Sequence, residues 1–317
     1  MELPVNRWTH PGAILVATDL SDLDRLMPVA LEQAAETGAR LILLHVVASN
    51  TSLLADAAAL PFYDTSSVLE FAGSQLQGYC QYARHMNVPC DAVVREGKAT
   101  QQIALAARQF EAGRVILGTR SRGKLGKLLV GSVAEQALRS VDLPVITVGP
   151  EAHLPVDRGA QEPVILYATT LRETSRASAA LAAKIAADQK GRLVLLHVLP
   201  PADEMTRKGF ETGSHSLAMR ELRQLAGEMA AEFFPNEQNV TPVVVHGNPS
   251  IEILAEASGR HASLIVLGTL RHTVFDNLTH DRTISRVLAH ARCPVMTLRE
   301  PFEVADSPCR EKQAARQ

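Results

Sequence analysis

An internal duplication constrains this chain more than any other feature of its sequence. Ile14 in the run ILVATD recurs 151 residues later as Ile165 in VILYATT. His45 in LILLHVV recurs 152 residues later as His197 in LVLLHVL. Three further landmarks recur at an offset of 150: Gly97 as Gly247, Gly118 as Gly268 and Pro144 as Pro294. This nearly constant offset indicates two copies of one unit of about 140 residues.

The total length of 317 residues fits two units of ordinary domain size. Residues 150–162 lie between the copies and are rich in proline, glycine and charge, which is typical of an exposed linker. Apolar periodicity is lost near the end of the chain, which predicts a C-terminal tail over residues 301–317. We therefore predict a first domain over 1–149, the linker, a second domain over 163–300 and the tail.

Short runs of Val, Ile and Leu alternate with longer amphipathic stretches in each copy. That alternation is typical of parallel strands buried on both faces between crossover helices. The fold class predicted is α/β, with two tandem doubly wound domains that each contain a five-stranded parallel sheet. The last strands of the two sheets, residues 145–148 and 295–298, would be exposed edges unless they are covered. In the first copy we predict strands near 13–18, 40–47, 91–95, 114–118 and 144–148, and helices near 22–37, 66–87, 99–110 and 132–140.

The composition excludes several classes of protein. Thirty-two Lys and Arg residues against 34 Asp and Glu give a formal charge of −2, which offers no global attraction to nucleic acid or to an anionic membrane. No apolar run reaches the ~20 residues of a membrane span, and the first residues lack the pattern of a signal peptide. Four cysteines without Cys-x-x-Cys spacing fit a reducing compartment, so we expect a cytoplasmic protein. A redox role of Cys80 and Cys90 stays open, because it depends on their neighbours.

Two segments at carboxyl ends of predicted strands are candidate binding elements, because ligands of parallel sheets bind at that edge. Asp19 follows the first strand and has two interpretations: it accepts hydrogen bonds from a ribose or an amine, or it caps the next helix.

The second segment is a glycine-rich loop after the fourth strand, in which Arg and Lys alternate with glycine. We expect Gly118 to permit a sharp turn and Gly131 to admit an anion to backbone amides. Ser132 and Glu135 have the spacing of a capping box at a helix start. The loop is neither a P-loop nor a dinucleotide fingerprint, so it is either a phosphate cradle or an ordinary surface loop. Its glycines are at 118, 123, 126 and 131, and its cations are Arg120, Arg122, Lys124 and Lys127.

The runs ILVATDLSD, LILLHVV, VILGTRSRG, GSVAEQALRS and LPVITV resemble the universal stress protein family, and both copies match it from end to end. Nucleotide-binding members of that family carry the pattern G-x2-G-x9-G followed by Ser or Thr. This chain keeps the spacing with Gly118, Gly131 and Ser132, but Ser121 stands at the second glycine. The resemblance implies that the two copies pair through their last strands into an intramolecular pseudo-dimer, as single-domain relatives pair between chains. It also implies ATP, with or without Mg²⁺, at the switch point of the first domain. The residues it implicates are Asp19 near the adenosine, the backbone of Val46 near the adenine, and Gly118, Arg120, Ser121, Gly131, Ser132 and Val133 around the phosphates.

The second copy departs from this pattern. Thr170 stands at the position of Asp19, and only Gly268 remains of the loop motif. A carboxylate at a phosphate position repels the ligand, so we expect no ATP in the second domain. The other three motif positions hold Arg271, Asp281 and Arg282.

The leading hypothesis is a stress-response regulatory protein in which ATP in the first domain acts as a conformational switch for a protein partner not named by the sequence. The alternatives are a nucleotide-free scaffold or small-ligand sensor, and a slow ATP hydrolase. No acidic residue is convincingly placed for hydrolysis, and we name no catalytic residue. Histidines 246, 261, 272, 280 and 290 match no compact zinc motif, so we assign no metal site. Assembly into a homodimer stays open.

Overall fold

The computed structural model describes residue 8 and residues 10–48, 65–119, 131–152, 162–172, 174–201, 213–270 and 280–300. The first half contains β1 (Ala13–Thr18), α1 (Leu23–Thr37), β2 (Arg40–Val47), α2 (Thr65–His85), β3 (Cys90–Glu96), α3 (Ala99–Gln109), β4 (Arg114–Gly118), α4 (Ser132–Ser140) and β5 (Val145–Val148). The second half contains β6 (Val164–Ala168), α5 (Ser175–Asp188), β7 (Arg192–Leu199), α6 (Ser214–Phe233), a 3₁₀ turn (Glu237–Asn239), β8 (Val240–His246), α7 (Pro249–Gly259), β9 (Leu264–Leu270), α8 (His280–His290) and β10 (Val295–Glu300).

The strands form one ten-stranded sheet in the order β3-β2-β1-β4-β5-β10-β9-β6-β7-β8. Within each half every pair of neighbours is parallel, and β5 and β10 join the halves as an antiparallel pair. Ile146 faces Met296 in that pair, and these residues are equivalents at the offset of 150. A pseudo-twofold axis therefore passes through this contact. The predicted α/β class, tandem duplication and pseudo-dimer are all confirmed.

Helices cover both faces of the sheet. Ile14 and Val16 belong to one core cluster with residues of α1, α2, α5 and α6, whereas Leu15 and Ala17 belong to the other with residues of α3, α4, α7 and α8. Successive residues of a strand point to opposite faces, so strands covered on both sides must be apolar throughout. β1 meets this requirement, because all six of its residues are buried.

The predicted boundaries agree with the observed ones to within two residues. The last strand of the first half begins at Val145 rather than at Pro144, since proline has no N–H to donate to the ladder. The carbonyl of Pro144 nevertheless accepts the N–H of Val115 at 3.0 Å, and Pro294 accepts that of Ile265 at 3.1 Å. In both halves, therefore, a proline precedes the final strand and joins the sheet through its carbonyl alone.

Candidate functional site

The switch point of the first half lies between β1 and β4. β1 pairs with β2 on one side and with β4 on the other, so the chain leaves the carboxyl ends of β1 and β4 toward opposite faces. A crevice at this position is the usual ligand site of a doubly wound sheet. Thr18 and Gly118 end these two strands.

Asp19 is the exposed carboxylate at this edge. Its Oδ1 accepts the N–H of Ser21 at 2.9 Å and the hydroxyl of Ser21 at 2.6 Å, which forms a local turn. The N-cap position of α1 belongs to Asp22 instead. The interpretation of Asp19 as the helix cap is therefore wrong, because its side chain bonds before the helix begins.

Asp22 is a site residue that sequence reasoning missed. Its carboxylate is buried and accepts the hydroxyl of Thr18 at 2.6 Å. Burial raises the pKa of this carboxyl, and the hydrogen bond from Thr18 opposes the shift. A Cβ added at Gly118 would lie 2.2 Å from Oδ2 of Asp22. Gly118 is thus required by the close approach of Asp22, whereas we had expected it for a sharp turn, and the structure records no positive φ there.

The adenine-side candidate, Val46, is the half-buried penultimate residue of β2 and pairs with Arg95 of β3. Its neighbour His45 contacts the carbonyl of Thr18 through Nδ1 at 2.9 Å, which ties the end of β2 to the end of β1. His197 makes the same contact with Thr169 at 2.9 Å in the second half. Burial lowers the pKa of His197. These two histidines therefore hold the carboxyl edge together in both halves.

The two ends of the glycine-rich loop are joined by a backbone hydrogen bond at the end of β4. The N–H of Gly131 donates to the carbonyl of Thr119 at 2.7 Å, so the chain returns to the end of β4 before α4 begins. Arg120 and Ser121 lie outside the described residues, as do the other three cations of the loop. The fit of Ser121 to a bound phosphate therefore stays a prediction.

The start of α4 differs from the predicted capping box. Gly131 is the N-cap with φ −61° and ψ 145°, and Ser132 is the first helical residue. Glu135 binds the guanidinium of Arg139 at 2.7 Å instead of reaching back to the helix start. The first helical bond runs from the N–H of Glu135 to the carbonyl of Gly131, which leaves the amides of Ser132 and Val133 without partners inside the helix. The helix start thus presents amides that have no partner inside the helix, without the cap that we had predicted.

The second half has a different edge at this position. β9 continues past Gly268 to Leu270 and pairs with β10 as far as Glu300, whereas β4 ends at Gly118. Thr170, which replaces Asp19, lies at the end of β6 and is exposed. Arg271 and the side chains of Asp281 and Arg282 lie outside the described residues.

Two cysteines meet away from this edge. Cys80 of α2 and Cys90 of β3 are both buried and share a thiol–thiol hydrogen bond. This bond from Cys90 lowers the pKa of Cys80, and Arg84 acts in the same direction. The same bond and burial raise the pKa of Cys90, while burial raises the pKa of Cys293 to about 12.

A cavity of about 490 Å³ opens at the opposite, amino edge of the second half. Its two guanidinium groups are already paired, Arg192 with Glu162 at 3.5 Å and Arg260 with Glu256 at 2.7 Å. The cavity also lies near the carboxyl end of α7, where the helix dipole disfavours anions. It is remote from the switch point and adds nothing to that site.

The model of the universal stress protein family matches residues 12–149 and again residues 163–299. The chain belongs to the universal stress protein family. A universal stress protein of Mycolicibacterium smegmatis is 28% identical over 306 residues, which covers 90% of this chain and 96% of that protein. A solved universal stress protein of Archaeoglobus fulgidus superposes with a TM-score of 0.71 at 19% identity, over 92% of this chain and 97% of its own. A universal stress protein solved in complex with cAMP covers 44% of this chain and 98% of its own, at 15% identity and a TM-score of 0.33.

Among the described helices, none combines the length and the apolar character that crossing a membrane requires.

Proposed function

We propose that this universal stress protein binds ATP at the switch point of its first half and acts as a regulatory module of the stress response. In this proposal the domains span 1–149 and 163–300, joined by 150–162 and followed by the tail 301–317. The protein works in the cytoplasm, and the nucleotide controls its affinity for a protein partner.

The observation that carries the proposal is the closure of the glycine-rich loop at the end of β4. Because Gly131 bonds to Thr119, the first turn of α4 is held at the carboxyl edge, next to the strand that precedes Asp19. The amides of Ser132 and Val133, which have no partner inside the helix, and the positive end of the helix dipole together favour an anion there. A phosphate group supplies that anion.

We assign the remaining nucleotide contacts from the strand ends at which the candidate residues lie. Asp19 is exposed at the end of β1, where its carboxylate is free to accept hydroxyls of a ribose once the turn to Ser21 rearranges. The backbone of Val46 lies at the end of the neighbouring strand, where we place the adenine. Arg120 and Ser121 enter the site through the family pattern alone. Mg²⁺ accompanies the phosphates as part of the ligand.

The output of such a site is conformational. Nucleotide occupancy changes the arrangement of residues 118–133 and thereby the affinity for the partner, by no more than the difference in nucleotide affinity between the two states.

The test is calorimetric titration of the full chain with Mg-ATP, and with AMP as the comparison. We expect one saturable site per chain. Gly131→Asp places a carboxylate at the anion position, yet φ −61° suits any residue and Asp is a favourable N-cap. This variant should fold normally and lose more than tenfold in ATP affinity, which corresponds to about 1.4 kcal/mol.

Gly131→Ser is the matched control, because it supplies a polar N-cap without the charge. It should bind ATP more weakly than the wild type, since its side chain competes for the helix amides, but more tightly than the Asp variant. Absence of any binding by the wild type, or equal affinities of the Asp and Ser variants, would reject the nucleotide site and favour a scaffold. Sustained multiple-turnover phosphate release would instead identify a hydrolase.

A further inference from the structure

A pair of histidines occupies the carboxyl edge of the second half, away from the proposed nucleotide site. His246 is the last residue of β8, and His215 is the second residue of α6. Nδ1 of His215 lies 3.0 Å from Nε2 of His246, and both side chains are exposed. The ring centroids are 5.2 Å apart with an interplanar angle of 12°. Because the nitrogens are much closer than the centroids, the rings meet edge to edge.

The hydrogen bonds define which nitrogen is available. Nδ1 of His246 lies 3.4 Å from the carbonyl of Pro200, and a carbonyl accepts only, so Nδ1 carries the proton. Nε2 of His246 is then an unprotonated acceptor that receives the Nδ1–H of His215. A histidine that donates one ring N–H to a backbone carbonyl and presents the other nitrogen has the usual arrangement of a metal ligand.

The distance between the nitrogens also suits chelation. Two nitrogens that each lie about 2.0–2.1 Å from a zinc ion are about 3.0–3.4 Å apart at ordinary coordination angles. Because the two nitrogens face each other, each ring must turn by roughly 40° to direct its nitrogen at a shared ion. The proton of His215 moves from Nδ1 to Nε2 when the metal binds, so no net proton release is needed.

A carboxylate lies beside the backbone that follows His246. A Cβ added at Gly247, next to His246, would lie 2.3 Å from a carboxylate oxygen of Glu252. In the first half the corresponding contact at Gly97 is made by the neutral side chain of Gln102. Glu96 replaces His246 there, since it pairs with Val47 as His246 pairs with Leu199. The fold therefore does not require the histidine pair.

We propose that His215 and His246 bind a divalent transition-metal ion of the Zn²⁺ or Ni²⁺ type, with Glu252 supplying negative charge beside them. Imidazole nitrogens suit these borderline metals. Within the part of the chain that the structure describes, no cluster of three or more metal-binding side chains is present.

The experiment is calorimetric titration of the full chain with Zn²⁺, and separately with Ni²⁺, in a non-chelating buffer without nucleotide. We expect one saturable site that His215→Gln and His246→Gln each weaken by at least tenfold. The double variant should bind no more weakly than the weaker single variant, because one ligand alone does not chelate. Glu252→Gln should weaken binding severalfold by removing charge.

Two variants control for effects elsewhere. His261→Gln removes an exposed histidine at the amino edge, and Gln102→Glu adds the carboxylate in the first half; neither should change metal affinity. Thermal unfolding without metal should be unchanged in the His215 and His246 variants, since both rings are exposed. Ni²⁺ should broaden the NMR resonances of these two imidazoles first. Wild-type affinity in the double variant, or no saturable binding by the wild type, would overturn the proposal.

Discussion

The two halves have the same backbone turn at the end of their first strand, but their fourth strands end differently. Thr18 accepts the N–H of Leu20 through Oγ1 at 2.9 Å, and Thr169 accepts that of Leu171 at 3.0 Å. Both leucines have positive φ, 73° and 59°. A left-handed leucine is costly, so its presence in both halves shows that this turn belongs to the fold.

The fourth strands show the opposite behaviour. β4 ends at Gly118 over the buried carboxylate of Asp22, whereas β9 continues to Leu270 along β10. Backbone amides that pair in an extended ladder are not available to a ligand. This comparison shows where to look for function. Contacts that both halves share maintain the scaffold, and the edge at which the halves differ is the candidate site.

Arg114 provides the largest expected contrast between the halves. It is fully buried and occupies the strand position of Leu264, since Ile14 pairs with Arg114 as Ile165 pairs with Leu264. Its guanidinium donates to the carbonyl of Trp8 at 3.2 and 2.9 Å and to Gln33 at 2.5 Å. Burial lowers the pKa of Arg114 to about 10, and Glu36 and Asp188 oppose the shift. At the same strand position, the first half therefore has a buried cation and the second half has a leucine.

Arg114→Leu copies the second half and should destabilise the protein by about 3–5 kcal/mol, because it leaves buried polar partners unpaired. Urea denaturation followed by circular dichroism measures the loss. The chain has one tryptophan, Trp8, so its fluorescence should report the loss in the first half directly.

A double variant distinguishes the cost of unpaired hydrogen-bonding groups from the cost of altered packing around residue 114. Ile185 stands in α5 where Gln33 stands in α1, counted from the helix starts. Arg114→Leu combined with Gln33→Ile should therefore be more stable than Arg114→Leu alone. A single substitution that costs under about 1 kcal/mol would show that the network contributes little.

The contact between Gly118 and Asp22 should give the next largest effect. Gly118→Ala forces a Cβ against a short buried carboxylate that is bonded to Thr18, and we expect a loss of about 1–3 kcal/mol. Asp22→Ala removes the obstacle, so the double variant should lose less than the sum of the two single variants. Gly12→Ala is the control, because a Cβ at Gly12 meets nothing within 4 Å. Denaturation midpoints that move equally for Gly118→Ala and Gly12→Ala would contradict the steric explanation.

The fold could be predicted from the sequence because its determinants are local and repeated. Apolar runs such as residues 41–44 predict strands covered on both faces, and the constant offset predicts two copies of one domain. The pairing of the two copies was predicted from the family resemblance. The helix start at Ser132 was predicted correctly. The final strand was predicted one residue too early, at Pro144, because proline has no N–H for the strand ladder.

The site could be predicted only in part, because its contacts join residues far apart in the chain. The edge, Asp19 and the helix start at Gly131 follow from strand ends and glycine spacing. The approach of Asp22 to Gly118 depends on how two strands lie side by side, and no local pattern encodes it. The pairing of His215 with His246 likewise crosses 31 residues of sequence. The predicted capping box was wrong because the N-cap is Gly131 rather than Ser132. Residue spacing alone does not locate a helix end to within one residue.

The smallest expected effect on stability concerns the left-handed residue that follows the first helix of each half. Gly38 ends α1 with φ 70°, and Lys190 follows α5 with φ 53° at the same point before β7. Gly38→Ala should cost about 1 kcal/mol, because a side chain is strained in the left-handed region. Space is not a factor, since a Cβ at Gly38 meets nothing within 4 Å.

Lys190→Gly makes the reciprocal exchange in the second half. It relieves the same strain but adds freedom to the unfolded chain, so it should stabilise the protein by less than about 1 kcal/mol. Parallel urea titrations of both variants test the pair, with Lys190→Ala as the control that keeps the strain and removes the charge. If Lys190→Ala matches Lys190→Gly, the gain comes from the lost charge, and the helix end in the second half is not strained.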